Sequence, residues 1–143
     1  MTFKSDCLVY LGCPYSHPDP LVMEQRYKQV LEASAFLLSR GQMVYSPIVH
    51  NHEVAKHSSL PRTWDFWRPF DLRMLRACDV MYVLTLPGYR QSVGLSEEVH
   101  FSLKLGKPVF EMHYDTGRGK YWVQTMGVYL DVNDPERSVW PQF

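Results

Sequence analysis

The sequence predicts an α/β domain built on a mostly parallel sheet of four to five strands. Three observations point there. Short apolar runs of strand length, at residues 7–12, 43–49, 79–86 and 108–112, alternate with segments of helical periodicity. Glycine or proline marks the junctions, as at Gly12, Gly41, Pro47 and Gly106. Finally, Ser92-Val93-Gly94-Leu95-Ser96-Glu97-Glu98 lies between the third apolar run and a helix. In open α/β sheets that is where ligands bind.

The elements follow in order. Residues 7–12 (C-L-V-Y-L-G) form a first strand closed by Gly12, and a proline-rich turn follows at residues 13–20. From residue 21 to residue 40, Met23, Tyr27, Val30, Leu31, Leu37 and Leu38 recur at helical spacing, with Ser34 among them. Asp19 and Pro20 supply the cap and first turn, and Gly41 ends the helix. Residues 43–49 read as a second strand, ended by Pro47. Residues 50–62 are polar and histidine-rich, a loop with room for one short helix. Residues 64–77 read as mostly helix despite Pro69, residues 79–86 as the third strand, residues 94–105 as a helix and residues 108–112 as a fourth strand. The tail carries Gly117, Gly119 and Gly127, with a last strand at residues 128–132. Strand–helix alternation of this kind gives a Rossmann-like or flavodoxin-like three-layer sandwich.

With 143 residues, 45% of them hydrophobic, the chain makes a single domain, residues 1–143, large enough to bury a core without staples. Fifteen basic and fifteen acidic residues cancel, which disfavours a broad surface for a nucleic-acid polymer but leaves room for a local cationic pocket. No apolar run approaches the ~20 residues that span a bilayer, and the first six residues do not read as a secretory signal. Three cysteines without a C-x-x-C pair suit reduced thiols in a cytoplasmic protein, with Cys7 and Cys78 placed in the core.

Three constellations could carry chemistry. The first is Tyr10, Asp71, Ser92, Gly94 and Glu98. Glycosidic bonds break through oxocarbenium-like transition states, which need one carboxylate beside the anomeric carbon and an acid beside the leaving group. Glu97 and Glu98, read as lying in the first turn of their helix, could equally be complementing its dipole, and spacing alone does not choose between them. Ser92 and the backbone N–H groups beside it suit an anionic group. The second set, His50, His52 and His57 with Asp65, matches no specific metal spacing, so the expectation is no cofactor and no metal, with His50 as a substrate contact. The third, Tyr15, Trp64, Phe66 and Trp67, could stack a flat base or serve as core. Gly12, at the end of the first strand, joins the substrate-binding candidates. The chain has no G-x-S-x-G turn, no G-x-G-x-x-G fingerprint and no phosphate-binding loop.

Taken together, Y-L-x-x-P-Y-S-H-P at residues 10–18, S-P-I-x-H at 46–50 and W-D-F-W at 64–67 resemble a small bacterial and phage branch of the nucleoside 2-deoxyribosyltransferase-like superfamily. That superfamily includes the 2'-deoxynucleoside 5'-monophosphate N-glycosidases. Its wider pattern is matched by Tyr10, by D-L-x-x-L at residues 71–75, by Asp79 and by Ser92-x-Gly94-x-x-x-Glu98, and the similarity runs from about residue 7 to residue 108. The second glycine of the family's turn is Ser96 here. The resemblance implies Glu98 as nucleophile, Asp71 as proton donor to the departing base and Tyr10 as the group that orients the nucleophile, leaving Glu97 a helix-capping role. It further implies a (deoxy)nucleoside 5'-monophosphate substrate, since serine at position 92 suits a 5'-phosphate, with Arg90 as an added cationic contact. The segment Met126-Gly127-Val128 is similar to one that reaches a neighbouring subunit's site, which implies a homo-oligomer. Two other readings stand beside this one: a non-catalytic nucleotide-binding module, and a metal-dependent hydrolase using His50 and His52.

Overall fold

A computed structural model of the chain describes residues 3–126, 129–130 and 138–139. The strands β1 (Leu8–Gly12), β2 (Met43–Tyr45), β3 (Val80–Leu84), β4 (Val109–Asp115) and β5 (Lys120–Thr125) form one sheet in the order β2-β1-β3-β4-β5. The first four are parallel, and β5 returns antiparallel to β4. Helices α1 (Pro20–Ser39), α2 (Pro47–His57), α3 (Trp64–Ala77) and α4 (Val93–Lys104) fill the crossovers. A short pair, β6 (Tyr129–Leu130) and β7 (Ser138–Val139), stands apart from this sheet. The predicted α/β three-layer sandwich is what forms.

Alternation along the strands sends side chains to two cores. Tyr10, Met81, Val83 and Val109 pack with Leu75 of α3 and with Leu95 and Val99 of α4. Leu11, Leu84 and Met112 pack on the other face with Val30, Ala33 and Leu37 of α1. The strand order reverses between β1 and β3, so their carboxyl ends open a crevice, the place where such sheets take ligands.

The first helix begins and ends where its caps predict. Asp19 Oδ1 accepts from Leu21 N at 2.9 Å, and Gly41 follows the helix at φ +81°. Four expectations change. The second strand stops at Tyr45, and Pro47 opens a helix instead of closing a strand. Ser46 caps that helix by accepting from Val49 N at 3.2 Å, and proline at the first helical position loses no bond, so the presumed loop is an eleven-residue helix. The fifth strand of the sheet is β5, formed by a hairpin through Gly119 at φ +64°. The predicted strand at 128–132 is represented by β6, whose partner is β7; its other residues, with Gly127, lie outside the described residues. Cys7 is only half-buried, whereas Cys13 and Cys78 are in the core, and all three are free thiols. No helix among the described residues is long and apolar enough to cross a membrane.

Candidate active site

Helix α4 starts at the crevice. Ser92 is its N-cap, with Oγ accepting from Leu95 N at 3.3 Å. The buried stripe Leu95, Glu98, Val99 and Ser102 follows helical spacing, so Glu98 faces inward while Glu97 faces out. Both glutamates lie in the second turn; the first has no acidic residue, so neither complements the helix dipole there. Glu98 is 5% exposed, and the Tyr10 hydroxyl, wholly buried on β1, donates to its Oε2. Burial pushes the Glu98 carboxyl up to about 8; the Tyr10 hydrogen bond opposes this, and the charge of Asp71 adds to it.

Gly12 lies beneath this pair. A Cβ there would meet Met81 Cε at 2.9 Å and Leu95 Cδ1 at 3.0 Å, with Glu98 Oε1 at 3.9 Å. Its role is close packing beneath Glu98. Gly12→Ala is therefore expected to destabilise the fold by about 1–3 kcal/mol through overpacking, as a lowered urea midpoint at unchanged slope.

Asp71 faces inward from α3 and is also 5% exposed. Asn51 Nδ2 donates to its Oδ1 at 2.9 Å, and the Asn51 carbonyl oxygen pairs with His50 Nδ1 at 2.7 Å. That second contact orients the amide so that its NH2 group meets the carboxyl. Burial raises Asp71 to about 6, against the Asn51 bond and the nearby His50. Asn51 is absent from the sequence candidates; the Ser46-Pro47 helix start is the signal that could have placed it.

Glu98 and Asp71 share a cleft of about 340 Å³, the size of a small-molecule site. Tyr15, Trp64, Trp67, Ser92 and Gly94 line it with them, whereas Phe66 is exposed elsewhere. At Gly94 a Cβ would meet the Trp64 ring at 3.0–3.4 Å, so the missing side chain lets the indole lie against the first turn of α4. The Trp64 indole N–H donates to Glu97 Oε2 at 2.7 Å, which Arg68 also pairs at 2.8 Å. Glu97 thus ties α3 to α4 instead of capping a helix. Trp67 is fixed by donating to the Pro61 carbonyl at 2.8 Å.

Three predicted contacts fall outside the lining of this cleft: Gly12, which packs beneath Glu98, His50 and Arg90. His50 is exposed and packs between Tyr45 and Phe70, where it acts on Asn51. Arg90 bonds the Tyr89 hydroxyl at 3.0 Å and lines a separate depression with Thr85, Pro87 and Gly88. Arg62, not anticipated, stands in the cleft wall instead. The histidines at 50, 52 and 57 do not converge. His52 is buried, with Nδ1 on the Tyr15 hydroxyl at 2.6 Å and Nε2 on Glu24 at 2.7 Å. Its nearest carboxylates, Glu24 and Glu53, come from α1 and α2, and Asp65 is not among them.

A family model described as a domain of unknown function (DUF1937) matches residues 7–114, and the chain belongs to that family. No curated protein matches it.

Proposed function

We propose that the cleft cleaves the N-glycosidic bond of a (deoxy)nucleoside 5'-monophosphate, or exchanges the base across it. The observation that carries this reading is the pair of buried carboxyls in one cleft, Glu98 on the Tyr10 phenol and Asp71 on the Asn51 amide. Glu98 Oε attacks C1' as the bond to the base breaks, and Asp71 gives its proton to the departing nitrogen. The resulting glycosyl ester is released when water, deprotonated by Asp71, attacks C1', or when a second base does so. Water access selects hydrolysis, and retention of a second base selects transfer. Trp64 and Trp67 supply faces on which a base can stack, and the Ser92 end of α4 suits the 5'-phosphate that the superfamily resemblance implies. That resemblance also carries the proposal of a homo-oligomer, and the unpaired cysteines carry that of a cytoplasmic protein.

One observation favours a second reading, binding without turnover: the raised Glu98 pKa keeps the nucleophile mostly protonated at pH 7. A panel of nucleosides and their 5'-monophosphates, modified pyrimidines included, separates the two by chromatography of free base. Release from monophosphates, faster than from nucleosides, is expected. Saturable binding with no base released from any compound would assign the cleft to sensing.

A further inference from the structure

Behind Tyr15 lies a chain of three groups that the proposed reaction does not use. Glu24 on α1, His52 on α2 and Tyr15 on the β1–α1 connection are joined by the 2.7 Å and 2.6 Å contacts already described. The His52 ring is 1% exposed and stacks on Tyr27 at 4.2 Å between centroids, so it is held in one orientation. Tyr15 and His52 line the cleft, whereas Glu24 stands outside it with its side chain 31% exposed. Counting donors fixes the protons. The Glu24 carboxyl is held below its usual range by the His52 contact, so it is ionised and accepts only. His52 must then carry its proton on Nε2. In the neutral ring Nδ1 is an acceptor, and the Tyr15 hydroxyl must donate to it. The phenol oxygen is left with lone pairs alone toward the cleft. The Arg62 guanidinium stands in the same cleft wall, where its charge opposes the rise that burial imposes on the Tyr15 phenol.

We propose that Glu24 and His52 set Tyr15 as an acceptor that selects a base bearing an exocyclic amino group over its oxo counterpart. The inference rests on the N-glycosidic reading for one step, the placement of the base. Tyr15 and Asp71 line the same cleft, and with Asp71 as the donor to the base, Tyr15 is assigned as a second contact of that base. An oxo group against Tyr15 puts acceptor to acceptor, whereas an amino group completes the bond. Sites that hydrogen-bond a substrate group discriminate strongly against an analogue that lacks it. Glu24 and His52 are positioning residues, and Tyr15 is the contact.

The test compares kcat/KM for 2'-deoxycytidine with 2'-deoxyuridine 5'-monophosphate, and for 2'-deoxyadenosine with 2'-deoxyinosine 5'-monophosphate. The wild-type protein should favour the amino member of at least one pair by about tenfold or more. Tyr15→Phe should bring that ratio toward one. Glu24→Gln should preserve it, because the carbonyl of the introduced amide can still accept from Nε2. Glu24→Lys is donor-only and forces the proton to Nδ1, turning the Tyr15 hydroxyl into the cleft, so the ratio should fall or invert. A wild-type ratio within twofold of one for both pairs, or a Glu24→Lys ratio equal to wild type, overturns the proposal. If no base is released at all, the reaction reading fails, and the same ratios are taken from calorimetric Kd values. Preference and its loss in Glu24→Lys then support the relay, and their absence overturns it.

Discussion

Glu98→Gln is expected to lower base release by at least about 10³-fold, the scale of losing a nucleophile, while leaving nucleotide binding measurable. The same substitution should make the protein more stable above pH 8. The amide keeps the shape of the carboxyl and can still accept from the Tyr10 hydroxyl, but it never ionises. In the wild type the folded carboxyl titrates at about 8 against 4.5 in the unfolded chain. Between those values the folded state holds more protons, so stability falls as pH rises through that window. Below pH 4.5 both variants carry a neutral side chain and differ little. Above pH 8 the wild type must hold a carboxylate in a site that has taken it from water, and a tenfold change in proton affinity is worth about 1.4 kcal/mol. The expected gain for Glu98→Gln at pH 9 is therefore roughly 5 kcal/mol, read from urea unfolding of both proteins across pH 5 to 9. Activity and stability moving in opposite directions would mark a side chain kept for chemistry. Equal stability of the two proteins at pH 9 would show that Glu98 is not held in the desolvated state described here.

The sequence announces α1 and α4 well because capping and burial agree with the chain's local pattern. In α1, Asp19, Pro20 and Gly41 bracket a stripe that includes Val30 and Leu37. In α4, the ends are read closely, but the inward face Leu95, Glu98, Val99 and Ser102 is fixed only by the structure, since spacing alone left Glu97 and Glu98 open. Helix α2 escapes for the opposite reason. Its buried positions are Pro47, Asn51, His52 and Ala55, so two of the four are polar and hydrophobic periodicity is silent. The polar side chains are buried because each finds a partner, Asn51 in Asp71 and His52 in Tyr15 and Glu24. The partners of His52 lie 37 and 28 residues away, a distance at which no local pattern speaks. Strand β5 escapes because it is an edge: Trp122 and Val123 on opposite faces are both exposed, so alternation between apolar and polar is lost. The helices are legible where caps and an apolar stripe coincide, and the site is illegible where folding joins separate segments.

Asp71→Asn should cost about 10²–10⁴-fold on ordinary bases, the usual worth of a positioned general acid, and far less on 7-methylguanosine 5'-monophosphate. That base already carries positive charge and departs neutral without a proton. The introduced amide keeps an oxygen for the Asn51 side chain, so the loss reports proton donation instead of a collapsed site. The pH dependence sharpens the assignment. Attack requires Glu98 ionised and departure requires Asp71 protonated, although Asp71 titrates at about 6 and Glu98 at about 8. The competent form is then a minority, about 1% near pH 7, and kcat/KM on ordinary bases follows a bell with limbs at those two values. Without Asp71 the protein itself supplies no group for the alkaline limb. On the methylated nucleotide, Asp71→Asn should gain activity with rising pH as Glu98 ionises, up to the pH at which the cationic base loses its own N1 proton, and loss of the neighbouring charge brings the Glu98 titration lower. An equal loss on methylated and ordinary nucleotides would remove Asp71 from the role of proton donor while leaving Glu98 as the nucleophile to be tested on its own.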